Sequence, residues 1–438
     1  IRMGISRVKN LKPEFKIKGD VVPKALVSGG GIAGMTAAME IAEKGFECYL
    51  IEKDDKLGGQ LNLIYKINED RIDSQKFLKL KLEEFNDYKK INTHLNSEVA
   101  EVKGSIGNFA IKVKNKSNNE TIQFNVGVII VATGAYEYKP EGWYHYGKDE
   151  RIMTQLELSE KLRDNELEDG EDIVFIHCVG SRQTDPEKGV PYCSLICCGE
   201  SIRHALYVKE NYPNSNIYVM YRDIRVGTDE EQYYWKAREN INYIRFNKYP
   251  DVELANGNIH VKVKDILTQI DLDVKADRVV LSTPLIPYDN KLLSELLKVP
   301  IDQNGFFLEA HIKLRPVDFA TDGIFLAGTA HSQKGIADSI SQARGAAAHA
   351  LIPLTSGTVE NEPLISHVNP ALCIACQKCE EVCNYGAIGV KFDGPKLISE
   401  VDPLLCKGCG DCAAACPAGA ITMSHFADNQ IRPMIFEA

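Results

Sequence analysis

The chain has 438 residues, 44% of them hydrophobic and 26% charged, with a net charge of −10. At ~100–200 residues per domain this length allows several domains, and the composition excludes a mostly disordered chain. The acidic balance argues against a nucleic-acid partner, and no stretch reaches the ~18 apolar residues of a membrane span. No secretory signal opens the sequence, so a cytoplasmic protein is expected. Of thirteen cysteines, eight lie between Cys373 and Cys416, four between Cys178 and Cys198, and Cys48 stands alone. Such clusters read as metal ligands before disulfides.

In chain order, residues 1–22 are basic and amphipathic, expected as a helix and linker leading in from a preceding domain. A strand Lys24–Ser28, a helix Ile32–Lys44 and a strand Glu47–Glu52 then form a βαβ unit. Its turn fits G-x-G-x-x-G with Gly29, Gly31 and Gly34. The first glycine permits the turn, the second lets a pyrophosphate approach, and the third lets helix and strand pack. Glu52 ends the second strand, 18 residues beyond Gly34, where an acid can accept hydrogen bonds from a ribose.

Three later stretches favour FAD over NAD: Gly58-Gly59-Gln60, the apolar strand Val128–Val131 with Ala132-Thr133-Gly134, and Thr321–Gly328. Together they resemble the two-dinucleotide-binding-domain flavoproteins, thioredoxin reductase among them. That resemblance covers 22–351. It implies that Gly328 and Thr329 approach the ribityl chain and that the helix after Lys334, carrying Ala337, aims at the isoalloxazine. Lys53, beside Glu52, joins the expected FAD contacts. Many such proteins have Gly-Asp where this chain has Gly328-Thr329.

The middle of the chain alternates strand Ile173–Cys178, helix Gly199–Glu210, strand Asn216–Tyr221, helix Thr228–Glu239, antiparallel strands over Ile259–Val274, and strand Arg278–Ser282. This predicts a second parallel sheet with helices on both faces. Its first turn, Cys178-Val-Gly-Ser-Arg-Gln183, lacks the glycine fingerprint for a nicotinamide nucleotide. The acidic run Asp229, Glu230 and Glu231 reads as a solvated helix start.

Residues 354–364 read as a linker. Beyond it, Cys373-x2-Cys376-x2-Cys379-x3-Cys383 recurs as Cys406-x2-Cys409-x2-Cys412-x3-Cys416, 33 residues on. This is the bacterial ferredoxin pattern for two [4Fe–4S] clusters, in which the fourth cysteine of each run ligates the other cluster. One cluster is expected on Cys373, Cys376, Cys379 and Cys416, and the other on Cys406, Cys409, Cys412 and Cys383. Asn384 replaces the usual proline after Cys383.

Cys178, Cys193, Cys197 and Cys198 are less familiar. They can close a third [4Fe–4S] site, lie buried and inert, or form a redox-active disulfide. Adjacent Cys197 and Cys198 fit the last two poorly, because neighbouring side chains are expected to diverge.

The stretches Cys178-Val-Gly-Ser-Arg182, Pro191-Tyr-Cys-Ser-Leu-Ile-Cys-Cys198, Lys313-Leu-Arg-Pro-Val-Asp318 and His425-Phe-Ala-Asp-Asn-Gln430 resemble the heterodisulfide reductase A-subunit family of iron–sulfur flavoproteins, from Ile1 to Ala438. The resemblance implies a thioredoxin-reductase-like α/β core with FAD, a cluster on the central cysteines, and a C-terminal α+β ferredoxin domain. The FAD-binding parts are placed at 23–148 and 285–353, the central NAD-like domain at 149–284, and the ferredoxin domain at 365–438. It also implies other heterodisulfide reductase-type subunits, a hydrogenase or formate dehydrogenase input subunit, ferredoxin, and a homodimer in a larger complex. In many such complexes the FAD bifurcates electron pairs between the CoB–CoM heterodisulfide and ferredoxin. Members often carry a preceding cluster domain, whose end would match Ile1–Leu11, and some an inserted ferredoxin module, which the cysteine-free 61–101 lacks. Where the family tends to have a flavin-proximal lysine, this chain has Arg203, which cannot release its proton. His331 and Lys334 are the other flavin-proximal candidates, without an assigned catalytic role. The alternatives are a non-bifurcating conduit of a quinone-interacting oxidoreductase complex, an NAD(P)H-dependent flavin reductase, and a flavin-free scaffold.

Overall fold

The computed structural model describes residues 1–67, 72–227 and 230–437. Two parallel five-stranded sheets form the frame. The first runs Ile324–Leu326, Val128–Val131, Lys24–Ser28, Glu47–Ile51, Ile91–His94. Val128–Val131 lies between two neighbours and is fully buried, which is why it is a continuous apolar run. The helices Ile32–Glu43 and Ile336–Ser356 cover one face and pack on each other through alanines such as Ala37, Ala343 and Ala347. The second sheet runs Ile152–Thr154, Arg278–Leu281, Asp172–Ile176, Asn216–Tyr221, Asn242–Arg245.

Each sheet carries a three-stranded antiparallel meander. The one at 251–276 falls within the expected alternation. Its counterpart is Ser97–Ser105, Asn108–Asn115 and Thr121–Val126, whose middle strand alternates buried and exposed residues. The chain crosses between the sheets through a two-stranded ribbon, Ala135–Glu137 against Leu285–Pro287. Glu137 is buried there and accepts from Thr154 Oγ1 at 2.7 Å and Leu156 N at 3.2 Å, pinning the ribbon to the helix Gln155–Arg163.

Two expectations need correction. The segment 354–364 is not a free linker: it holds the end of the long helix and a strand, Thr358–Asn361, paired with Ile17–Asp20 near the start of the chain. The helix predicted over 228–239 spans Glu231–Ala237, and Thr228 and Asp229 lie outside the described residues. The first helix, Arg2–Lys9, lies on the last, Asp428–Phe436, with Ser6 Oγ donating to Pro433 O and Arg7 over the Phe426 ring. These pairings tie both ends of the chain to the ferredoxin domain. Asn361 Nδ2 donates to Pro403 O at 2.7 Å, Lys407 pairs with Asp322, and Lys298 Nζ fills the space a Gly386 Cβ would take. Among the described residues no helix is long and apolar enough to cross a membrane.

Candidate flavin and iron–sulfur sites

The glycine loop is built by close approach. Gly29 has φ of 114°, and a Cβ on Gly34 would overlap the Gly29 carbonyl. A Cβ on Gly31, by contrast, would meet nothing within 4 Å. That space opens at the N-terminus of the 32–43 helix, whose first N–H groups have no side-chain cap. Open space at uncapped helix N–H groups is what a pyrophosphate needs. Glu52 is buried; its Oε2 accepts from Gly30 N at 2.5 Å and its Oε1 from Asp54 N at 2.9 Å. The carboxylate thus holds the glycine loop in shape and keeps further lone pairs for a ribose.

The other predicted FAD residues converge here. Gly58 N donates to Gly30 O at 2.9 Å, and Gly59 lies against Gly31. Gln60 Nε2 donates to Ala135 O at 3.0 Å, and Thr133 Oγ1 to Asn290 Oδ1 at 3.4 Å. A Cβ on Gly134 would lie 3.8 Å from Thr329 Oγ1, and one on Gly328 2.7 Å from the Ala33 Cβ. Ala132 therefore sits against Gly29 while 328–329 close the loop from the opposite strand. Lys53 lies over the Tyr288 ring, 3.0 Å from its centroid, and burial lowers its pKa. Ala337 lies in the first turn of the 336–356 helix, which begins at Gly335 with no side-chain cap. The residues present fit FAD.

The three flavin-proximal candidates differ. Lys334 is not free in solvent: its Nζ donates to Gly328 O at 2.8 Å, Ser332 O at 2.9 Å and Ser332 Oγ at 3.1 Å. Burial lowers its pKa to about 8 against the pull of Asp338 and Glu309. His331 is a packed histidine. Gln342 Nε2 donates to its Nδ1 at 2.8 Å, so the proton sits on Nε2 and goes to Glu309 Oε2 at 2.9 Å. Arg203 is held by Glu200 and Glu230. Glu230 is therefore a half-buried partner of Arg203 and not part of a solvated helix start.

In the ferredoxin domain the cysteines fall into two groups of four. Cys383, Cys406, Cys409 and Cys412 line one cavity, and Cys373, Cys376, Cys379 and Cys416 another. Each group takes its fourth cysteine from the other half of the repeat. The two loops share their backbone: Ala375 and Gln377 have φ of 54° and 64°, and Gly408 and Gly410, 33 residues on, have 66° and 89°. The amide of Ala387 donates to Cys383 Sγ at 3.2 Å, and that of Ala420 to Cys416 Sγ at 3.3 Å. An all-sulfur donor set with amides aimed at sulfur fits a [4Fe–4S] cluster in each cavity.

The central cysteines surround the turn where a nicotinamide loop would lie. Cys197 and Cys198 open the helix Cys197–Asn211, and with Cys178 they are buried, Cys193 half-buried. The adjacent pair bear on each other electrostatically: Cys198 is held well below the usual thiol range and Cys197 is pushed up, each chiefly by its neighbour. Burial raises Cys178 to about 11, and the charges of Cys193 and Cys198 both bear on it, so the four form one electrostatic group. His177 Nδ1 lies 3.7 Å from Cys198 Sγ, and Arg182 pairs with Asp223 at 2.5 Å, its charge bearing on Cys178. Cys178, Arg182 and Leu195 all have positive φ, backbone strain of the kind found at functional sites. A Cβ on Gly180 would overlap the Tyr138 ring, so the turn is filled. Tyr192 links this loop to the flavin side. Its hydroxyl donates to Leu285 O at 3.0 Å, in the ribbon strand that pairs with Ala135–Glu137 just beyond Gly134. No motif in the sequence includes His177, and the Pro191–Cys198 stretch contains Tyr192 without giving it a role; for Ser366 and Ser399, beside the ferredoxin cysteines, the 33-residue repeat is the signal.

Two family models match: pyridine nucleotide-disulphide oxidoreductase over residues 23–176 and 4Fe-4S dicluster domain over 372–420. Among solved structures, thioredoxin reductase of T. acidophilum superposes with a TM-score of 0.51 at 20% identity, over 75% of this chain and 98% of that one. Thioredoxin reductase of Lactococcus lactis gives 0.54 at 19%, over 76% and 99%. Fold and sites define an oxidoreductase that joins a thioredoxin-reductase-like FAD core to a dicluster ferredoxin domain. The A-subunit of the H(2):CoB-CoM heterodisulfide,ferredoxin reductase of Methanothermobacter marburgensis is 32% identical, over 89% of this chain and 73% of the relative. An iron-sulfur A-subunit of the CoB--CoM heterodisulfide reductase of Methanopyrus kandleri is 31% identical over the same shares. The chain belongs to the heterodisulfide reductase A-subunit family, in which it is an electron-transfer component carrying FAD and [4Fe–4S] centres.

Proposed function

We propose that this chain is the flavin-bifurcating component of a heterodisulfide-reductase-type complex, with three [4Fe–4S] clusters in the chain itself. The observation that carries the reading is the start of the 197–211 helix. In a nucleotide-binding sheet this turn cradles a pyrophosphate; here it presents Cys197 and Cys198, with Cys178 and Cys193 beside them. That arrangement disfavours direct reduction by NAD(P)H and leaves electron input to a partner protein. Bound FAD can exchange electrons singly or in pairs, and clusters only singly, which is the chemistry that bifurcation requires.

The chain's residues supply position. Tyr192 ties the central cysteine loop to the Leu285–Pro287 strand of the ribbon that leads from Gly134, which supports a one-electron exit beside the flavin site. Lys334, held on the Gly328 carbonyl, keeps a cation with a lowered pKa at that entry. The names of relatives include hydrogen, formate and ferredoxin. They support an input partner of hydrogenase or formate dehydrogenase type, other heterodisulfide reductase subunits, and ferredoxin and the CoB–CoM heterodisulfide as acceptors. A homodimer within the complex belongs to the same reading. The test is coupling. Given its donor, the whole complex should reduce ferredoxin fast only when the heterodisulfide is present. Equal rates with and without it would leave a plain conduit.

A further inference from the structure

The repeat of the ferredoxin domain extends beyond its cysteines. Ser366 and Ser399 are 33 residues apart, on the strands Ser366–Val368 and Lys396–Val401, and are 2% and 3% exposed. Ser399 Oγ lies 3.2 Å from Cys379 Sγ and 3.8 Å from Cys373 Sγ. Ser366 Oγ lies 3.1 Å from Cys412 Sγ and 3.9 Å from Cys406 Sγ. Each hydroxyl thus meets the first and third cysteines of one loop. Thiolates that bind metal carry no proton, so a serine in contact with them can only donate. Hydrogen bonds to cluster sulfur stabilise the more negative, reduced state and raise its potential.

The two sites are not equal. Ser399 also donates its backbone N–H to Cys373 Sγ at 3.4 Å. Ser366 has a competing acceptor, Met423 Sδ, at 3.0 Å. We propose that Ser366 and Ser399 are paired tuning residues, each donating to the thiolates of one cluster. We further infer that Ser399 makes the cluster of Cys373, Cys376, Cys379 and Cys416 the higher-potential one. This rests on the two-cluster reading of the domain.

The test uses the full chain, reconstituted anaerobically, with iron counted and each cluster's potential followed by EPR during redox titration. Ser399→Ala should lower one potential by about 60 mV, tenfold in a one-electron equilibrium constant at 59 mV per decade. The other cluster should not move. Ser366→Ala should lower the second potential by less, because Met423 shares that proton. Ser399→Thr and Ser366→Thr keep the hydroxyl and should restore both values. Unmoved potentials with iron intact would overturn the proposal, as would threonine variants as shifted as the alanine ones. If an alanine variant sheds its cluster, the threonine variant decides: an unaltered potential upholds the donor role and a shifted one rejects it. If the unaltered chain never binds the iron of two ferredoxin clusters, the two-cluster reading itself fails.

Discussion

Gly31→Val is expected to empty the flavin site while leaving the chain folded. A Cβ added at Gly31 would meet nothing within 4 Å, so the change starts from open space and not from a packed contact of the βαβ unit. The space it fills is the one a pyrophosphate would take at the uncapped start of the 32–43 helix. The neighbouring glycines cannot make this distinction. A Cβ on Gly34 would overlap the Gly29 carbonyl, and Gly29 has a φ of 114°, so changes there strain the strand–helix turn itself. Flavin affinity should fall at least tenfold, about 1.4 kcal/mol or more. Iron content and far-UV circular dichroism should stay as in the unaltered chain. Releasing and chromatographing the bound nucleotide checks this. Undiminished FAD in the variant would place the cofactor elsewhere, and FMN from the unaltered chain would contradict the assignment of FAD.

The second large effect tests the exchange of cysteines between the ferredoxin half-repeats. Cys383→Ser should destroy the cluster of Cys406, Cys409 and Cys412, which lies beyond it in the sequence, because these four line one cavity. Cys416→Ser should destroy that of Cys373, Cys376 and Cys379. Each change should remove about four of about twelve irons. EPR identifies which signal is lost: Cys383→Ser should match Cys409→Ser, and Cys416→Ser should match Cys376→Ser. A Cys383→Ser spectrum like that of Cys376→Ser would mean that each run binds its own cluster.

Much of this is legible in the sequence because spacing carries it. The glycine motif fits one turn geometry, and the strand Lys24–Ser28 has the predicted bounds. The duplicated cysteine spacing reads directly as a fold and a donor set. What the sequence hides depends on contacts between distant residues. Residues 354–364 look like a linker because Ser, Gly, Thr, Asn and Pro dominate them, yet Thr358–Asn361 gains order from pairing with Ile17–Asp20, over 300 residues away. Nothing in the sequence pairs Arg203 with Glu230, which reaches it from the next helical segment. The sequence does not show that Glu309 and Gln342, from separate segments, take both ring nitrogens of His331. The meander at 97–126 is readable from its alternation but carries no motif to draw the eye.

The central claim is that a [4Fe–4S] cluster on Cys178, Cys193, Cys197 and Cys198 stands where a nicotinamide loop would lie, next to the flavin. The direct measurement is anaerobic iron analysis, with EPR, of the reconstituted chain and its Cys197→Ser/Cys198→Ser double variant. Three clusters give about twelve irons in the unaltered chain and about eight in the variant, with the flavin retained and one EPR signal lost. Iron and spectra unchanged by the double substitution would mean that the central cluster does not exist.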